Sequence, residues 1–371
     1  METSRQTGAS ELDLLNDFLR RRAPDAANIS ILQPADPFLE SVGEDLRRRI
    51  FMTETVDGAL MCLRPEFTIP ICRHHLSNGK ERARYSYGGT VFRQQREGTV
   101  EFMQVGLEDL GADDPVDADA QCLADVVDAL GAVGRMDFSI TLGDQHLFAV
   151  LVGAMKLPDA LVRRLTRNFG SPDALLNLID VLANGQGRAS DEAELDLMAT
   201  DADRTRLVAN IQARMDAAGL SPKAGRSPQD IAERMIAKAA ESHSTLTLDQ
   251  ADTLRSFLAL ESPLDEAVGK LREFAVSAGL DLGPALEDFD RRTELLAGRD
   301  VDPAMFHYRA SFGRKLEYYT GMLFEVHEKG AEEAVAGGGR YDHLCTLLGA
   351  DAAVSAVGFS ITLDRLGRGG S

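Results

Sequence analysis

The sequence predicts an α+β fold, an antiparallel sheet flanked by helices and interrupted by a helical insertion. Three observations point there. Short extended runs at 61–63, 83–92, 102–107 and 138–142 are separated by the turn pairs Asp57-Gly58, Asn78-Gly79 and Gly88-Gly89. From about 147 to 300 the apolar residues recur every three or four positions, as in Leu175, Leu178, Ile179 and Leu182, or Leu264, Val268, Leu271 and Phe274. Residues 305–312 and 321–327 then return to strand-like patterning.

Each element follows from its residues. Leu12, Leu14, Leu15, Phe18 and Leu19 give residues 11–22 one apolar face and predict a helix, and a second helix is expected near 115–131. In the helical stretch, Ser171-Pro172, Ser227-Pro228 and Ser262-Pro263 each place a capping hydroxyl before a proline at the first helical position, where its missing N–H costs nothing. The expected organisation is a core of residues 1–146 and 301–371, with residues 147–300 as the helical insertion. Only residues 367–371 read as a frayed tail.

Composition narrows the function. The 371 residues carry 40 Lys plus Arg against 59 Asp plus Glu, a formal charge of -19. Affinity for nucleic acid comes largely from cations that neutralise phosphates, so this balance argues against tRNA as the main ligand. Cys62, Cys72, Cys122 and Cys345 are scattered without C-x-x-C spacing, and reduced thiols are expected in place of a zinc site or a disulfide framework. His74-His75 lacks a third ligand at suitable spacing, no G-x-x-x-x-G-K-[ST] loop occurs, and Arg47-Arg48-Arg49 reads as a solvated face. No metal or cofactor is expected. The first residues lack a basic start followed by an apolar run, and the longest apolar stretch, 147–155, is too short to span a bilayer. A cytoplasmic protein is expected, with no membrane partner.

The most specific motif is Arg314-Lys315-Leu316-Glu317-Tyr318-Tyr319-Thr320-Gly321-Met322-Leu323-Phe324-Glu325, followed by Gly337-Gly338-Gly339-Arg340-Tyr341-Asp342. It is preceded by Leu63-Arg64-Pro65-Glu66-Phe67-Thr68, Phe92-Arg93-Gln94-Gln95-Arg96 and Gln104-Val105-Gly106-Leu107-Glu108, and followed by 358–366. This set, in this order, resembles the histidine-reading residues of the histidyl-tRNA synthetases. The resemblance covers roughly 10–145 and 300–366 and implies a class II aminoacyl-tRNA synthetase-like fold. It implies that Glu66 and Thr68 meet the ammonium of histidine, that Gln104 contacts the amino-acid end, and that Glu108 and Tyr319 hold the imidazole nitrogens. Arg93, Arg314 and Tyr318 complete the implied histidine-binding set. Apart from the resemblance, residues four apart on one strand share a face, so Gln104 and Glu108 are expected side by side. Tyr318 shares a face with Leu316 and Thr320, so Tyr319 needs a twist or bulge near Thr320-Gly321 to join the pocket.

The implied nucleotide half, Arg93, Gln95, Arg96 and Arg365, is vestigial. Where the synthetase pattern has a glutamate, Gln95 brings an amide without charge, and the following 97–101 is acidic. Pro34 and Pro37 both compete for the proline of the first family motif. The chain stops five residues past Leu366, where a synthetase continues into an anticodon-binding domain. That domain is expected to be absent, which makes the chain similar to the synthetase-like regulatory subunits of ATP phosphoribosyltransferase. The implied role is non-catalytic: L-histidine acts as effector for feedback inhibition in histidine biosynthesis, and a homodimer joins the short-form catalytic subunit in a hetero-oligomer. Two alternatives stay open: a histidine-adenylating ligase or truncated synthetase, favoured by Arg93, Arg314 and Arg365, and a sensor of uncharged tRNA.

Overall fold

The computed structural model describes residues 10–95, 99–184, 204–217, 227–229, 231–233, 235–236, 245–314 and 318–367. The chain divides into two compact units, Met1–Leu151 with Phe169–Ser171 and Leu258–Ser371, and Val152–Asn168 with Pro172–Phe257.

The first unit opens on α1 (Glu11–Arg22), whose start is fixed by a reciprocal capping box between Ser10 and Asp13 and whose buried Leu15 and Leu19 hold it down. There follow β1 (Asp25–Ala26), β2 (Leu32–Pro34), α2 (Asp36–Ser41), α3 (Glu44–Arg47), β3 (Met52–Glu54), β4 (Leu60–Leu63) and α4 (Thr68–Asn78). Next come β5 (Ala83–Phe92), β6 (Glu101–Leu110), α5 (Pro115–Ala132), β7 (Phe138–Asp144) and α6 (Gln145–Ala154). Asp114 caps α5 by accepting the Asp117 N–H, with Pro115 in the first turn. The second unit holds α7 (Asp159–Arg167), α8 (Pro172–Ala183), α9 (Arg204–Ala217) and α10 (Leu248–Leu258). The chain then returns to the first unit through β8 (Glu261–Pro263), α11 (Leu264–Ala278), α12 (Gly283–Ala297), β9 (Phe306–Arg309), β10 (Met322–Glu328), β11 (Ala336–Arg340), α13 (Leu344–Leu347) and β12 (Ala356–Thr362).

A nine-stranded sheet in the order β1-β5-β6-β12-β11-β10-β7-β9-β8 forms the floor of the first unit. From β5 to β7 every pairing is antiparallel. Parallel pairs join only near the margins, β1 on β5 and β9 on β7. A separate three-stranded sheet runs β2-β4-β3. Pro34 pairs with Met61 in that small sheet, whereas Pro37 sits in the first turn of α2.

Two expectations meet a different outcome. The strand face expected to join Tyr318 with Leu316 and Thr320 is not seen among the described residues: Leu316 lies outside them, residues 318–321 lie outside regular structure, and β10 begins at Met322. Strand alternation therefore does not govern Tyr318 and Tyr319, and both are buried, with ring centroids 5.1 Å apart. Ser262-Pro263 does not open a helix at the proline: Ser262 pairs with Tyr308 in the sheet, and α11 starts at Leu264 with Pro263 as its cap. Helices α11 and α12 belong to the first unit.

The hold on α12 is electrostatic. Arg292 on α12, only 5% exposed, donates to Asp119 of α5 at 3.2 Å and to Asp144 of β7 at 2.5 Å. Asp119 also accepts from Arg340 of β11 at 2.9 Å. Arg299 adds a 2.6 Å bond to Asp117, and Arg291 pairs with Asp114 at the cap of α5. Helical periodicity reports that α12 is amphipathic but not which surface it covers. Removing one partner of a buried ion group strands the others, at about 3–5 kcal/mol. Arg292→Met is accordingly expected to lower the unfolding free energy by about that amount in urea titrations, and a change below about 1 kcal/mol would show that Asp119 and Asp144 are satisfied without it.

Candidate functional site

The site is organised around one carboxylate. Strand β6 alternates, so Gln104, Gly106 and Glu108 share a face, and Glu108 pairs directly with Gly358 on β12. A Cβ on Gly358 would sit 1.7 Å from Glu108 Oε2, so the side chain lies across a backbone that only glycine leaves open. The carboxylate accepts from two hydroxyls: Thr68 Oγ1 donates to Oε1 at 2.8 Å, and Tyr341 Oη donates to Oε2.

Thr68 is delivered by the N-terminus of α4, whose first N–H groups need acceptors. Glu66 supplies them, accepting from Thr68 N–H at 2.6 Å and Ile69 N–H at 3.0 Å. The turn before it is anchored by Arg64, which stacks on Phe67 and donates to the carbonyls of Thr90 at 2.8 Å and Ile29 at 2.5 Å. Phe67 in turn stacks on Tyr87, with centroids 4.5 Å apart. Arg93 is held beneath by the Pro65 carbonyl at 2.7 Å and by the Phe102 ring.

The opposite wall comes from the irregular segment before β10. Arg314 donates to Tyr319 Oη at 2.8 Å and to Glu325 at 3.1 Å. Its guanidinium lies against the backbone of Gly337, where a Cβ would come within 2.9 Å. Tyr318 fills the space between Tyr319 and Tyr341, with ring centroids at 5.1 and 5.9 Å. Gln104 is 4% exposed, and its amide makes no hydrogen bond among the described residues.

Burial sets the electrostatics. It pushes the Glu108 carboxyl up to about 8, against the opposing pull of the Tyr341 and Thr68 hydroxyls and with the Glu66 charge adding to the rise. Glu66 is raised for the same reason, with the α4 N–H groups and Arg93 opposing. Burial lowers Arg93 to about 10. Two carboxyls raised by burial, an amide with no hydrogen bond among the described residues, a tyrosine pair and a guanidinium suit a small ligand rich in N–H donors that carries a carboxylate.

Glu66, Thr68, Glu108, Arg93, Arg314, Tyr318 and Tyr319 thus form a connected set with Gln104 on the same strand face as Glu108. Of the positions expected for a nucleotide, Arg93 and Arg365 are engaged by other groups of the chain. Gln95 is exposed and Arg96 lies outside the described residues. Arg365 is spent on the Ala334 carbonyl at 2.9 Å and on Glu333 at 3.2 Å. Sequence reasoning missed Tyr341, Gly358 and Glu325 as site residues. All three stood inside the quoted motifs, but which groups they meet depends on strand register. Among the described residues no cluster of His, Cys, Asp and Glu is placed to hold a metal.

The family model of histidyl-tRNA synthetase matches residues 25–253 and 205–366. An ATP phosphoribosyltransferase regulatory subunit from Mesorhizobium japonicum is 48% identical over 345 residues, 92% of each chain. This chain belongs to that family. Another member, from a Chelativorans species, is 45% identical over 95% of both chains. The crystal structure of an ATP phosphoribosyltransferase regulatory subunit/histidyl-tRNA synthetase from Bacillus halodurans superposes with a TM-score of 0.66 at 19% identity, over 95% of this chain and 76% of that one. That likeness shows the regulatory-subunit family sharing the class II synthetase-like fold.

Because Glu108 is neutral in the fold up to about pH 8 but ionises near its ordinary value of 4.5 once unfolded, unfolding releases a proton between those values and stability falls as pH rises. Glu108→Gln removes that release. The stability of the variant relative to wild type should therefore rise from pH 5 to pH 8 in denaturant titrations, whereas a pH-independent difference would place the carboxyl in its ordinary range.

Proposed function

We propose that this chain is a non-catalytic regulatory subunit of ATP phosphoribosyltransferase that binds free histidine in the Glu108 site and thereby imposes feedback inhibition on a short-form catalytic partner. The observation that carries the reading is the buried Glu108 carboxylate, fixed by Thr68 and Tyr341 and followed on the same strand face by the unengaged Gln104 amide. Each polar group of histidine loses water on entry and needs a placed partner. Glu108 and Tyr319 suit the imidazole nitrogens, Glu66 and Thr68 the ammonium, and Gln104, Arg93 and Arg314 the carboxylate end. If histidine binds one arrangement of the complex more tightly, that arrangement gains population, which is all that feedback inhibition requires. Arg365, paired with Glu333 in place of a phosphate, supports a role without adenylation. The exposed apolar side chains Leu32, Met52, Val56 and Leu60 in and around the small sheet support a homodimer within the hetero-oligomer. The charge of -19 supports a partner other than tRNA.

Calorimetry of histidine against the isolated chain and its assembled complex tests the reading, and absence of binding to both would remove it. Glu108→Gln should weaken binding by about 10- to 150-fold, the equivalent of one charge-assisted hydrogen bond at about 1.5–3 kcal/mol. Accepting an imidazole N–H favours the carboxylate form, so binding at pH 7 should release a proton, visible as a buffer-dependent heat that Glu108→Gln abolishes. Robust histidine-dependent exchange of labelled pyrophosphate into ATP would instead favour the ligase reading, which Arg93 and Arg314 still support.

A further inference from the structure

The backbone that leads into Arg314 runs where only glycine fits. The Phe312 N–H closes a turn on the Arg309 carbonyl at 3.0 Å, and the chain then meets two other stretches of backbone. A Cβ on Gly143 of β7 would come within 2.3 Å of the Phe312 carbonyl oxygen. A Cβ on Gly313 would come within 2.7 Å of the Gly170 Cα and 2.8 Å of the Phe169 carbonyl oxygen. Gly313 does not adopt a positive φ, so what calls for glycine there is space and not backbone conformation. Neither neighbour yields easily. Strand β7 is paired in register with β10 along its whole length, and Phe169 is 1% exposed and stacked on Phe148 with centroids 4.9 Å apart.

What this close approach delivers is the Arg314 side chain. Its Nε donates to Glu325 and its Nη1 to Tyr319, and the guanidinium rests against Gly337, the residue paired with Glu325 across β10 and β11. Its Nη2 donates to no group among the described residues and is left for a ligand. The partners fix the far end of the side chain, and the backbone at 312–313 fixes where it starts. A guanidinium engages a carboxylate through directional bonds that weaken steeply with misalignment, so the start point matters as much as the partners. Binding groups hold their geometry only when the residues behind them are themselves locked by packing. The turn Phe169–Ser171, which joins α7 to α8 and belongs to the first unit, is such a support.

We propose that the turn Phe169–Ser171 is a positioning element of the histidine site: by its close contact with Gly313 it sets where Arg314 meets the ligand carboxylate. Gly313 and Phe169 are therefore positioning residues that touch no ligand, and they set the preference for a ligand that carries a carboxylate. The proposal rests on the histidine-binding reading and adds to it a determinant that lies outside the pocket, on a turn between two helices of the insertion.

Calorimetry on the full chain tests it by comparing L-histidine with histidine amide, which keeps the imidazole and the ammonium but has a neutral carboxamide in place of the carboxylate. Gly313→Ala should weaken histidine binding at least about tenfold, the scale of one charge-assisted hydrogen bond, and amide binding by no more than about twofold. In an Arg314→Met background the same substitution should change histidine affinity by less than about twofold, because the group it misplaces is gone. Urea unfolding reports on the fold of each variant. Where Gly313→Ala does not unfold cooperatively, Phe169→Leu replaces it, keeping the turn apolar while removing the stack on Phe148, and the same carboxylate-selective loss is expected. Equal losses for the two ligands, no loss for either, or an undiminished effect without Arg314 would reduce the close approach to general packing and overturn the proposal while leaving the histidine reading standing. Wild-type protein that binds neither ligand overturns the histidine reading, and the proposal with it.

Discussion

The geometry of the site depends on a buried carboxyl group laid over a glycine. Glu108 is 1% exposed, and an unpaired carboxylate at that depth would cost several kcal/mol. The fold meets the requirement from three separated segments: the N-terminus of α4 brings Thr68, the turn after β11 brings Tyr341, and β12 brings a residue without a Cβ. Neighbouring layers depend on these. Tyr341 supports Tyr318, Tyr318 supports Tyr319, and Tyr319 receives the Arg314 guanidinium. Glu66 also supports the site from behind, because capping α4 is what orients the Thr68 hydroxyl.

Local pattern carried much of this into the sequence. Residues 11–22 and 83–92 form the expected helix and strand with the expected limits, since capping residues and alternation are encoded within a few positions. The shared face of Gln104 and Glu108 followed from strand periodicity alone. What stayed illegible depends on partners distant in the chain. No local signal says that Tyr341 will meet Glu108, or that residues 318–321 leave strand geometry and so let two adjacent tyrosines turn inward together. The cap expected at Ser262 failed because pairing with Tyr308 draws Ser262 into the sheet.

The same distinction separates the two halves of the synthetase-like constellation. The side chains that suit an amino acid face one another across β6, α4 and the segment before β10. Among the nucleotide positions, the charge of Arg365 is met by Glu333 of its own chain. An arginine retained in a motif keeps its residue type while changing its task, and only the identity of its neighbours reveals which task it has.

The buried group of Asp119, Asp144, Arg292 and Arg340 has a kinetic consequence. Its hydrogen bonds join residues 148, 173 and 221 positions apart. Until those segments meet, each charge is better left in water than in a collapsing interior, so partial compaction gains little and the loop-closure entropy must be paid first. The first unit is therefore built to assemble late and cooperatively, once Arg340 has emerged to close the charged group.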